Sequence, residues 1–157
     1  MKASVSIVLC TYNGAKYLSE QLDSILAQTY PLHEIIIQDD NSTDETVNII
    51  HEYACKYSLV KFFKNNSAHG VNGNFISAMQ RATGDYIAIS DQDDIWEADK
   101  IENQMNSIGK NLLCSGFSRP FSTDGSFAYF DHRKRNVNVV RMCFLGLPGH
   151  TLLFRRE

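Results

Sequence analysis

The chain has 157 residues, of which 43% are hydrophobic and 21% are charged, a balance typical of one globular domain and not of a disordered segment. Its 15 basic and 18 acidic residues give a formal net charge of −3, which argues against nonspecific binding to DNA or RNA, because such binding needs a basic face. No apolar run approaches the roughly 20 residues of a membrane-spanning helix.

Short apolar segments alternate with amphipathic segments over the first part of the chain. The predicted strands are residues 4–10, 34–38, 59–63 and 86–90. They are apolar at consecutive positions and rich in β-branched residues, which indicates strands that are buried on both faces of a parallel sheet.

Four helices are predicted from apolar positions at helical spacing. In chain order, the stripes are Leu18, Leu22, Ile25 and Leu26; then Val47, Ile50, Tyr53 (or Ala54) and Tyr57; then Phe75, Ile76, Met79 and Ala82; then Ile101, Met105 and Ile108. Ser42 and Glu45 form a capping-box pattern that predicts the start of the second helix. Gly84 is expected to close the third helix, and the fourth is expected to start near Glu97.

This alternation predicts an α/β fold, with a mainly parallel sheet, right-handed crossovers and helices on both faces. In such sheets, ligands bind beyond the carboxyl ends of the strands, near the point where the strand order reverses. Polar or acidic residues follow three of the predicted strands, at residues 11–13, 39–40 and 91–94. We therefore expect a ligand site at that edge.

The pattern changes after Gly109. Residues 112–117 could form another strand, and residues 127–130 and 143–147 are short apolar pieces. Residues 131–141 (DHRKRNVNVVR) are basic and are expected to form a solvated loop; the alternative is contact with an anionic acceptor or a membrane surface.

The four cysteines are far apart and show no spacing typical of a metal site; they are Cys10, Cys55, Cys114 and Cys143. We therefore expect buried, reduced thiols and a cytoplasmic protein. The apolar stretch near the N-terminus is short and contains Ser6, so we do not expect a secretory signal.

Three carboxylates occur within four residues directly after the predicted strand 86–90: Asp91, Asp93 and Asp94. Unpaired carboxylates this close together repel one another, and a divalent cation such as Mg²⁺ or Mn²⁺ is a suitable counter-charge. In an extended segment Asp91 and Asp93 point the same way, so one can hold the ion and the other a ribose hydroxyl. The simpler alternative is that Asp93 or Asp94 caps the helix near Glu97.

Two further segments are candidates for nucleotide contacts. Asp39 ends its predicted strand, so its carboxylate could accept a hydrogen bond from a base, while Asp40 and Asn41 are candidate turn residues. In the turn after the first strand, Tyr12 could pack on a base and Asn13 is a plausible N-cap. There is no GxGxxG and no GxxxxGK[ST] motif, which disfavours dinucleotide cofactors and P-loop ATPases.

Three segments together resemble glycosyltransferase family 2: VSIVLCTYNGAKYLSEQLDSILAQTY, EIIIQDDNSTDET and GDYIAISDQDDIW. The form DQDDIW is similar to members that build bacterial surface polysaccharides, including rhamnosyltransferase-like ones. The resemblance implies a GT-A fold and an inverting enzyme. It would move a sugar from a nucleotide-diphosphate sugar, with uridine or thymidine as the base, to a glycan or lipid-linked acceptor.

The resemblance also implies roles for individual residues. It implies a nucleotide pocket lined by Thr11, Tyr12, Asn13 and, in the segment 70–75, Asn74. It implies that Asp39 contacts the base. Asp91 and Asp93 correspond to the DxD pair that holds the ribose and the metal on the diphosphate.

The C-terminal part departs from the family pattern. Residues 149–154 (GHTLLF) resemble the acceptor segment of the family, but no Glu-Asp or His-Asp pair follows them before Glu157. Asp124 and Asp131 precede this segment and are not assigned as the base. We therefore expect a donor-binding half at residues 1–110, an incomplete acceptor-side half at 111–157, and no catalytic base in the chain. Such a chain would expose apolar surface that favours self-association. If the protein contacts a membrane, we expect the contact to be peripheral, at the inner face.

Two alternatives come from other functional classes. One is a phosphoryl-handling α/β domain, which is disfavoured because the first predicted strand ends in Thr11-Tyr12-Asn13 and carries no carboxylate there. The other is a binding module that holds a nucleotide sugar without transferring it, which the missing base favours. A transfer assay separates this module from the enzyme.

Overall fold

The computed structural model describes residues 2–116 and 149–156, and these residues form a six-stranded sheet flanked by helices. The strands are β1 Val5–Thr11, β2 Glu34–Asp39, β3 Val60–Lys64, β4 Tyr86–Ser90, β5 Leu113–Ser115 and β6 Leu152–Arg155. The helices are α1 Ala15–Leu26, α2 Thr46–Lys56, α3 Val71–Met79 and α4 Lys100–Ile108, and a 3₁₀ turn covers Gly149–Thr151.

The sheet order is β3-β2-β1-β4-β6-β5. The four strands predicted from the sequence are parallel to one another, whereas β6 runs antiparallel between β4 and β5. The chain moves outward from β1 to β3 and then returns to place β4 beside β1, so the strand order reverses between β1 and β4. The crevice expected at such a reversal lies at the carboxyl ends of these two strands.

Helices cover both faces of the sheet, which confirms the predicted α/β fold. One core contains Ile7, Leu9 and Ile37 of the sheet together with residues of α1, α2 and α4. The other core contains Val8 and Ile36 with residues around α3. Successive strand residues thus point to opposite faces, and both faces are apolar, because helices bury both of them.

Several local predictions were wrong. Ser42 does not cap α2: no side chain caps this helix at Glu45, and the Ser42 hydroxyl bonds Asp39 instead. Asn13 does not cap α1, because Gly14 precedes the helix and Asn13 has a positive φ of 48°. In each case tertiary contacts take the side chain that local capping would use.

The later helices also differ from the prediction. Ile76 is 56% exposed, since α3 buries Asn74 and Ala78 toward the sheet instead. α3 ends at Met79, before Ala82 and Gly84. α4 begins at Lys100, after Asp99, so neither Asp93 nor Asp94 caps it.

The second part of the chain contributes two strands to the same sheet. The strand predicted at 112–117 is the shorter β5, and the segment that resembles the family's acceptor region forms β6. The apolar pieces 127–130 and 143–147 and the basic segment 131–141 lie outside the described residues. In the part of the chain that is described, no helix has the length and apolar character that crossing a bilayer requires.

Glu34, at the end of the sheet opposite the crevice, connects β2 to β1, to β3 and to the segment before β4 through hydrogen bonds. Its side chain is 1% exposed and accepts hydrogen bonds from the Ser6 hydroxyl at 2.7 Å, from Lys61 Nζ at 2.7 Å, and from the Thr83 backbone N–H and hydroxyl at 2.7 and 2.8 Å. Burial alone raises the pKa of Glu34, but these bonds outweigh it and lower the pKa to about 2.

Because the pKa of Glu34 is lower in the folded chain than in the unfolded chain, its contribution to stability is present above about pH 4.5 and is lost as the pH falls toward 2. We expect Glu34→Gln to lower the free energy of unfolding by about 3 kcal/mol at pH 7. The difference from wild type should shrink at pH 3, as measured by urea denaturation. Glu52→Gln, at an exposed position on α2, is the control. A pH-independent effect of Glu34→Gln would contradict this account.

Candidate nucleotide and metal site

A cleft of about 580 Å³ opens at the carboxyl ends of β1, β2 and β4, where the strand order reverses. It is lined by Cys10, Thr11, Tyr12, Asp40, Asn41, His69, Gly70, Val71, Asn74, Phe75, Asp91, Gln92 and Asp93. The cleft brings together five of the residues predicted from the sequence: Thr11, Tyr12, Asn74, Asp91 and Asp93. Two others, Asn13 and Asp39, do not line it.

Exposed and apolar side chains form part of the cleft walls. Tyr12 is 59% exposed and Val71 is 71% exposed, although both border a concave site. Exposed rings and aliphatic groups at a cleft can pack on the flat face of a nucleobase. The buried thiol of Cys10 has a raised pKa, because burial disfavours the thiolate and Asp91 and Asp40 add negative charge, so Cys10 is a neutral wall residue.

Asn13 stabilises the loop behind the cleft. Its backbone N–H donates to the Ser42 hydroxyl at 2.8 Å, and its side-chain Oδ1 accepts from the Thr43 N–H at 2.8 Å. The positive φ of Asn13 is one that asparagine adopts more readily than most residues. These contacts join the turn after β1 to the turn after β2.

The two aspartates at the end of β2 have different environments. Asp39 is 1% exposed, and its carboxylate accepts hydrogen bonds from the Thr11 hydroxyl at 2.8 Å and from the Ser42 N–H at 2.8 Å as well as the Ser42 hydroxyl. The predicted contact between Asp39 and a base stays a prediction. It is Asp40 that lines the cleft in this structure.

Asp40 holds the loop that leads into α3. Its carboxylate accepts from Asn65 Nδ2 at 2.8 Å and from the Gly70 N–H at 2.7 Å, and it lies 2.7 Å from His69 Nδ1. Burial raises the pKa of Asp40, but the hydrogen bonds from His69, Gly70 and Asn65 together lower it by more. The pKa of Asp40 is therefore below its ordinary value. Asp40 therefore places an anionic side chain at the cleft wall and anchors the loop that leads into α3.

Asn74 lines the cleft from α3 but is 3% exposed. Its side chain pairs with Gln38: Nδ2 donates to the Gln38 carbonyl at 3.0 Å, and Oδ1 accepts from Gln38 Nε2 at 2.9 Å. This pairing fixes α3 against β2 and so sets the width of the cleft.

The loop after β4 carries the acidic cluster. Asp91 and Asp93 line the cleft, whereas Asp94 turns toward the 3₁₀ segment that precedes β6. His150 Nδ1 lies 3.3 Å from Asp91 Oδ2 and 3.7 Å from Asp94 Oδ2. Ligand atoms of Asp91, Asp94 and His150 all lie within 4.8 Å of one another.

The charges in this cluster perturb one another. A hydrogen bond to Asp91 and the charge of Asp94 raise the pKa of His150 against the effect of burial, and burial raises the pKa of Asp94. Burial also lowers the pKa of Lys100 to about 7 although Asp94 opposes it, and Lys100 Nζ lies 3.5 Å from the centre of the Trp96 ring. Perturbed groups gathered beside a cleft are typical of a functional site.

The donor set fits a divalent cation. Carboxylate oxygens are the ligands that Mg²⁺ and Mn²⁺ prefer, and a pair of them with a histidine nitrogen lies at the spacing that a single ion requires. Asp91 belongs both to the predicted pair with Asp93 and to this group with Asp94 and His150. Asp91 is therefore a metal ligand in both possible ligand sets.

Sequence reasoning did not single out His150 as a site residue. His150 and Asp94 are far apart in the chain, and they meet only because β6 pairs antiparallel with β4. Asp40 was predicted as a turn residue, and no role was predicted for Gln92. The predicted absence of a catalytic base stays a prediction, and Asp124, Asp131 and Glu157 lie outside the described residues.

The chain is similar to several known proteins. It is 32% identical over 136 residues to an uncharacterized glycosyltransferase of Haemophilus influenzae, a match that covers 87% of this chain and 52% of the relative. It is 42% identical over 114 residues to the UDP-Glc:alpha-D-GlcNAc-diphosphoundecaprenol beta-1,3-glucosyltransferase WfaP of Escherichia coli, covering 73% of this chain and 45% of the relative. The chain thus spans about half the length of these relatives.

A solved structure supports the fold. Mannosyltransferase PcManGT from Pyrobaculum calidifontis, in complex with GDP-Man and Mn²⁺, is 27% identical and superposes with a TM-score of 0.69 over 76% of this chain and 36% of that one. The GT-A fold implied by the sequence resemblance is thereby confirmed.

The family model for glycosyl transferase family 2 matches residues 6–156, which includes the three segments that carried the resemblance except for Val5 at the start of the first one. With the cleft, the acidic loop after β4 and these relatives in agreement, the chain belongs to glycosyltransferase family 2.

Proposed function

We propose that this chain binds the nucleotide-sugar donor of an inverting glycosyltransferase that acts in cell-surface polysaccharide synthesis. The donor is a UDP- or dTDP-sugar, and the acceptor is a glycan or a lipid-linked sugar. The observation that carries this proposal is that Asp91 and Asp93, in the loop after β4, line the same cleft as Thr11 and Tyr12 from the neighbouring strand β1 and the turn after it.

The names of the relatives support the ligand classes. The E. coli relative is named for a UDP-glucose donor and a diphosphoundecaprenol-linked acceptor, and the Pyrobaculum structure contains GDP-Man with Mn²⁺. A nucleoside diphosphate is common to both donors. Its flat base fits the wall formed by Tyr12 and Val71, and its diphosphate fits the side formed by Asp91 and Asp93 once a cation is present.

The residues of this chain would bind and orient the donor. Thr11, Tyr12 and Asn74 would hold the nucleoside, together with a carboxylate at the end of β2, predicted as Asp39. Asp91 would hold Mg²⁺ or Mn²⁺ with Asp93, or with Asp94 and His150. When bound, the ion neutralises the charge that develops on the departing diphosphate.

In an inverting transfer, the acceptor hydroxyl bonds the anomeric carbon as the bond from that carbon to the diphosphate oxygen breaks. A general base must take the hydroxyl proton. We assign no residue of this chain to that role. We propose that residues 1–110 form the donor-binding half and that residues 111–157 belong to the acceptor side.

The same proposal covers the location of the protein. Cys10 and Cys55 form no disulfide in the described part of the chain, which agrees with a reducing compartment. We propose a cytoplasmic location with peripheral contact at the inner face of the membrane, where a lipid-linked acceptor is available. Self-association is a further part of this proposal, and sedimentation measures it directly.

The test is a thermal-shift panel of UDP, dTDP and GDP, each with its sugar derivatives, in Mn²⁺ and in EDTA. A ligand present at 100 times its Kd adds about 2.7 kcal/mol to the free energy of unfolding, which is well within detection. We expect stabilisation by a uridine or thymidine nucleotide in Mn²⁺ that EDTA removes. No stabilisation by any member of the panel would contradict the proposal.

Binding alone does not show transfer. An assay of radiolabelled sugar transfer to a diphosphoundecaprenol-linked acceptor distinguishes an enzyme from a binding module. The same assay on a longer form of the protein is the matched comparison. Donor binding without transfer in both forms would favour the binding module.

A further inference from the structure

The side chain of Gln92 makes two hydrogen bonds to the main chain of Tyr12. Gln92 Oε1 accepts from the Tyr12 N–H at 2.8 Å, and Gln92 Nε2 donates to the Tyr12 carbonyl at 3.0 Å. A side-chain amide used in this way replaces the peptide group of a neighbouring strand, since it presents one acceptor and one donor to the same residue. Gln92 is thus a clamp on Tyr12.

The clamp lies where the main-chain pairing of two parallel strands stops. β1 and β4 pair in register from Val5 with Tyr86 to Leu9 with Ser90, after which the chains separate and the cleft opens between them. Gln92 comes two residues after Ser90 and bridges this gap with its side chain. It therefore continues the connection between β1 and β4 into the part of the cleft that must stay open for a ligand.

Gly14 provides the space that the clamp occupies. A Cβ atom at position 14 would overlap the side-chain amide of Gln92. The backbone angles of Gly14, φ −104° and ψ 11°, lie in a region that residues with side chains can adopt, so the conformation itself does not require glycine. Gln92 can keep this conformation only while position 14 has no Cβ atom, since its amide would otherwise have to move aside.

The clamp connects the two sides of the proposed donor site. Gln92 stands between Asp91 and Asp93, in the loop assigned to the metal and the diphosphate. Tyr12 belongs to the nucleoside wall, and because its side chain is 59% exposed, the position of its ring depends mainly on its main chain. A change in the acidic loop therefore reaches the nucleoside wall through Gln92.

We propose that Gln92 is a positioning residue. It holds Tyr12 in place for the nucleoside, and it couples Tyr12 to the acidic loop after β4. This inference rests on the proposed function, since it assumes that the cleft binds a nucleoside diphosphate. It assigns a role to the middle residue of the acidic motif and explains why no side chain is present at position 14.

The test uses nucleosides that carry no phosphate, so that the acidic loop after β4 has no diphosphate or metal to bind. Uridine, thymidine and guanosine are titrated in EDTA against wild type, Gln92→Ala and Gly14→Ala, and the Kd is measured from chemical-shift changes. We expect about tenfold weaker binding of the preferred nucleoside by each variant, because Tyr12 must then be ordered when the nucleoside binds, and fixing the main chain of one residue costs about 1–2 kcal/mol. Gln92→Glu, which keeps the acceptor and loses the donor, should lie between Gln92→Ala and wild type.

Gly14→Ala separates positioning from direct contact. Gln92 lines the cleft, so its removal could act by loss of a ligand contact, whereas Gly14 does not line the cleft. If Gln92 and Gly14 both act through the clamp, the variant that carries Gln92→Ala and Gly14→Ala together should have a nucleoside Kd no higher than that of the single variant with the higher Kd. Thermal midpoints measured on the same samples show whether affinity falls while the fold is retained.

Three results would overturn the inference. They are an unchanged nucleoside Kd in Gln92→Ala, full additivity in the double variant, and a loss of affinity that only parallels a loss of folded protein. Failure of wild type to bind any nucleoside or nucleotide of the panel would contradict the proposed function as well. Binding by wild type with no response in the variants contradicts this inference alone.

Discussion

Replacing Asp91 by Asn should remove the metal-dependent part of nucleotide binding. Asp91 lines the cleft beside Asp93, and its Oδ2 lies 3.3 Å from His150 Nδ1, so it belongs to both candidate ligand sets. Substitution of residues that only support a metal ligand typically costs 10–100-fold in metal affinity, so loss of a ligand should cost at least roughly 100-fold. Calorimetry of UDP or dTDP in Mn²⁺ and in EDTA measures this loss.

Asn is the sharpest substitution at position 91, because it keeps the shape of the side chain and removes its charge. Asp99→Asn is the matched control, since Asp99 is an exposed aspartate in the same segment that does not line the cleft. Asp91→Asn should leave the weak, EDTA-resistant binding in place. Equal affinity in Mn²⁺ and EDTA for wild type itself would refute a metal role for Asp91 and Asp93 alike.

Two further variants distinguish the ligand sets. If the ion is held by Asp91 and Asp93, Asp93→Asn should weaken Mn²⁺-dependent binding strongly and His150→Gln should have little effect. If Asp94 and His150 complete the site, the order of the two variants is reversed. Electron paramagnetic resonance of bound Mn²⁺ gives a second readout, because a coordinated histidine nitrogen adds ¹⁴N couplings that disappear in His150→Gln.

The second large effect concerns the paired aspartates at the end of β2. Asp39→Ala should reduce the free energy of unfolding by on the order of 3 kcal/mol, because it leaves the buried hydroxyl of Thr11 and the half-buried donors of Ser42 without an acceptor. Asp40→Ala should destabilise the chain much less. Its partners His69 and Gly70 are exposed, so water can replace the lost acceptor there, and the buried Asn65 Nδ2 also donates to the Ala68 carbonyl at 3.1 Å.

Affinity for the nucleoside then shows which of the two carboxylates contacts the base. Asp40→Ala removes a cleft-lining carboxylate and frees the loop that it anchors, so we expect about tenfold weaker binding of the nucleoside diphosphate. Glu52→Ala, at an exposed position on α2, is the control for both measurements. If Asp39→Ala instead weakens nucleoside binding without changing the thermal midpoint, the base contact predicted for Asp39 from the sequence is right.

Much of this fold could be predicted from the sequence, because its main signals are local. Runs such as Ile35–Ile36–Ile37 are apolar at consecutive positions only when both faces of a strand are covered, and the stripe of Leu18, Leu22 and Ile25 has helical spacing. Both patterns follow from backbone geometry alone, so the alternation of strands and helices could be read directly. The edge of the sheet that carries the site followed from the same alternation.

Local signals failed where a polar side chain had a choice of partners. Ser42 has the right spacing from Glu45 to cap a helix, yet its hydroxyl bonds Asp39 and its Oγ accepts from the Asn13 N–H. The sequence does not show which partner a hydroxyl will take, because one competitor, Asn13, lies in a turn 29 residues away in the chain. The same holds for Asp39 and Asp40, which are adjacent in the chain but face a buried turn and the cleft respectively.

The sequence by itself determined the strand-helix alternation, the two-faced core and the position of Thr11, Tyr12 and Asp91 at one edge of the sheet. Only the tertiary structure decided that β6 pairs with β4 and brings His150 to within 3.7 Å of Asp94. It also decided that the Gln92 side chain forms two hydrogen bonds with the Tyr12 main chain, where the pairing of β1 and β4 ends. The physical reason is range. Periodicity and turn chemistry act between neighbours in the chain, whereas these contacts join residues that meet only after the sheet has formed.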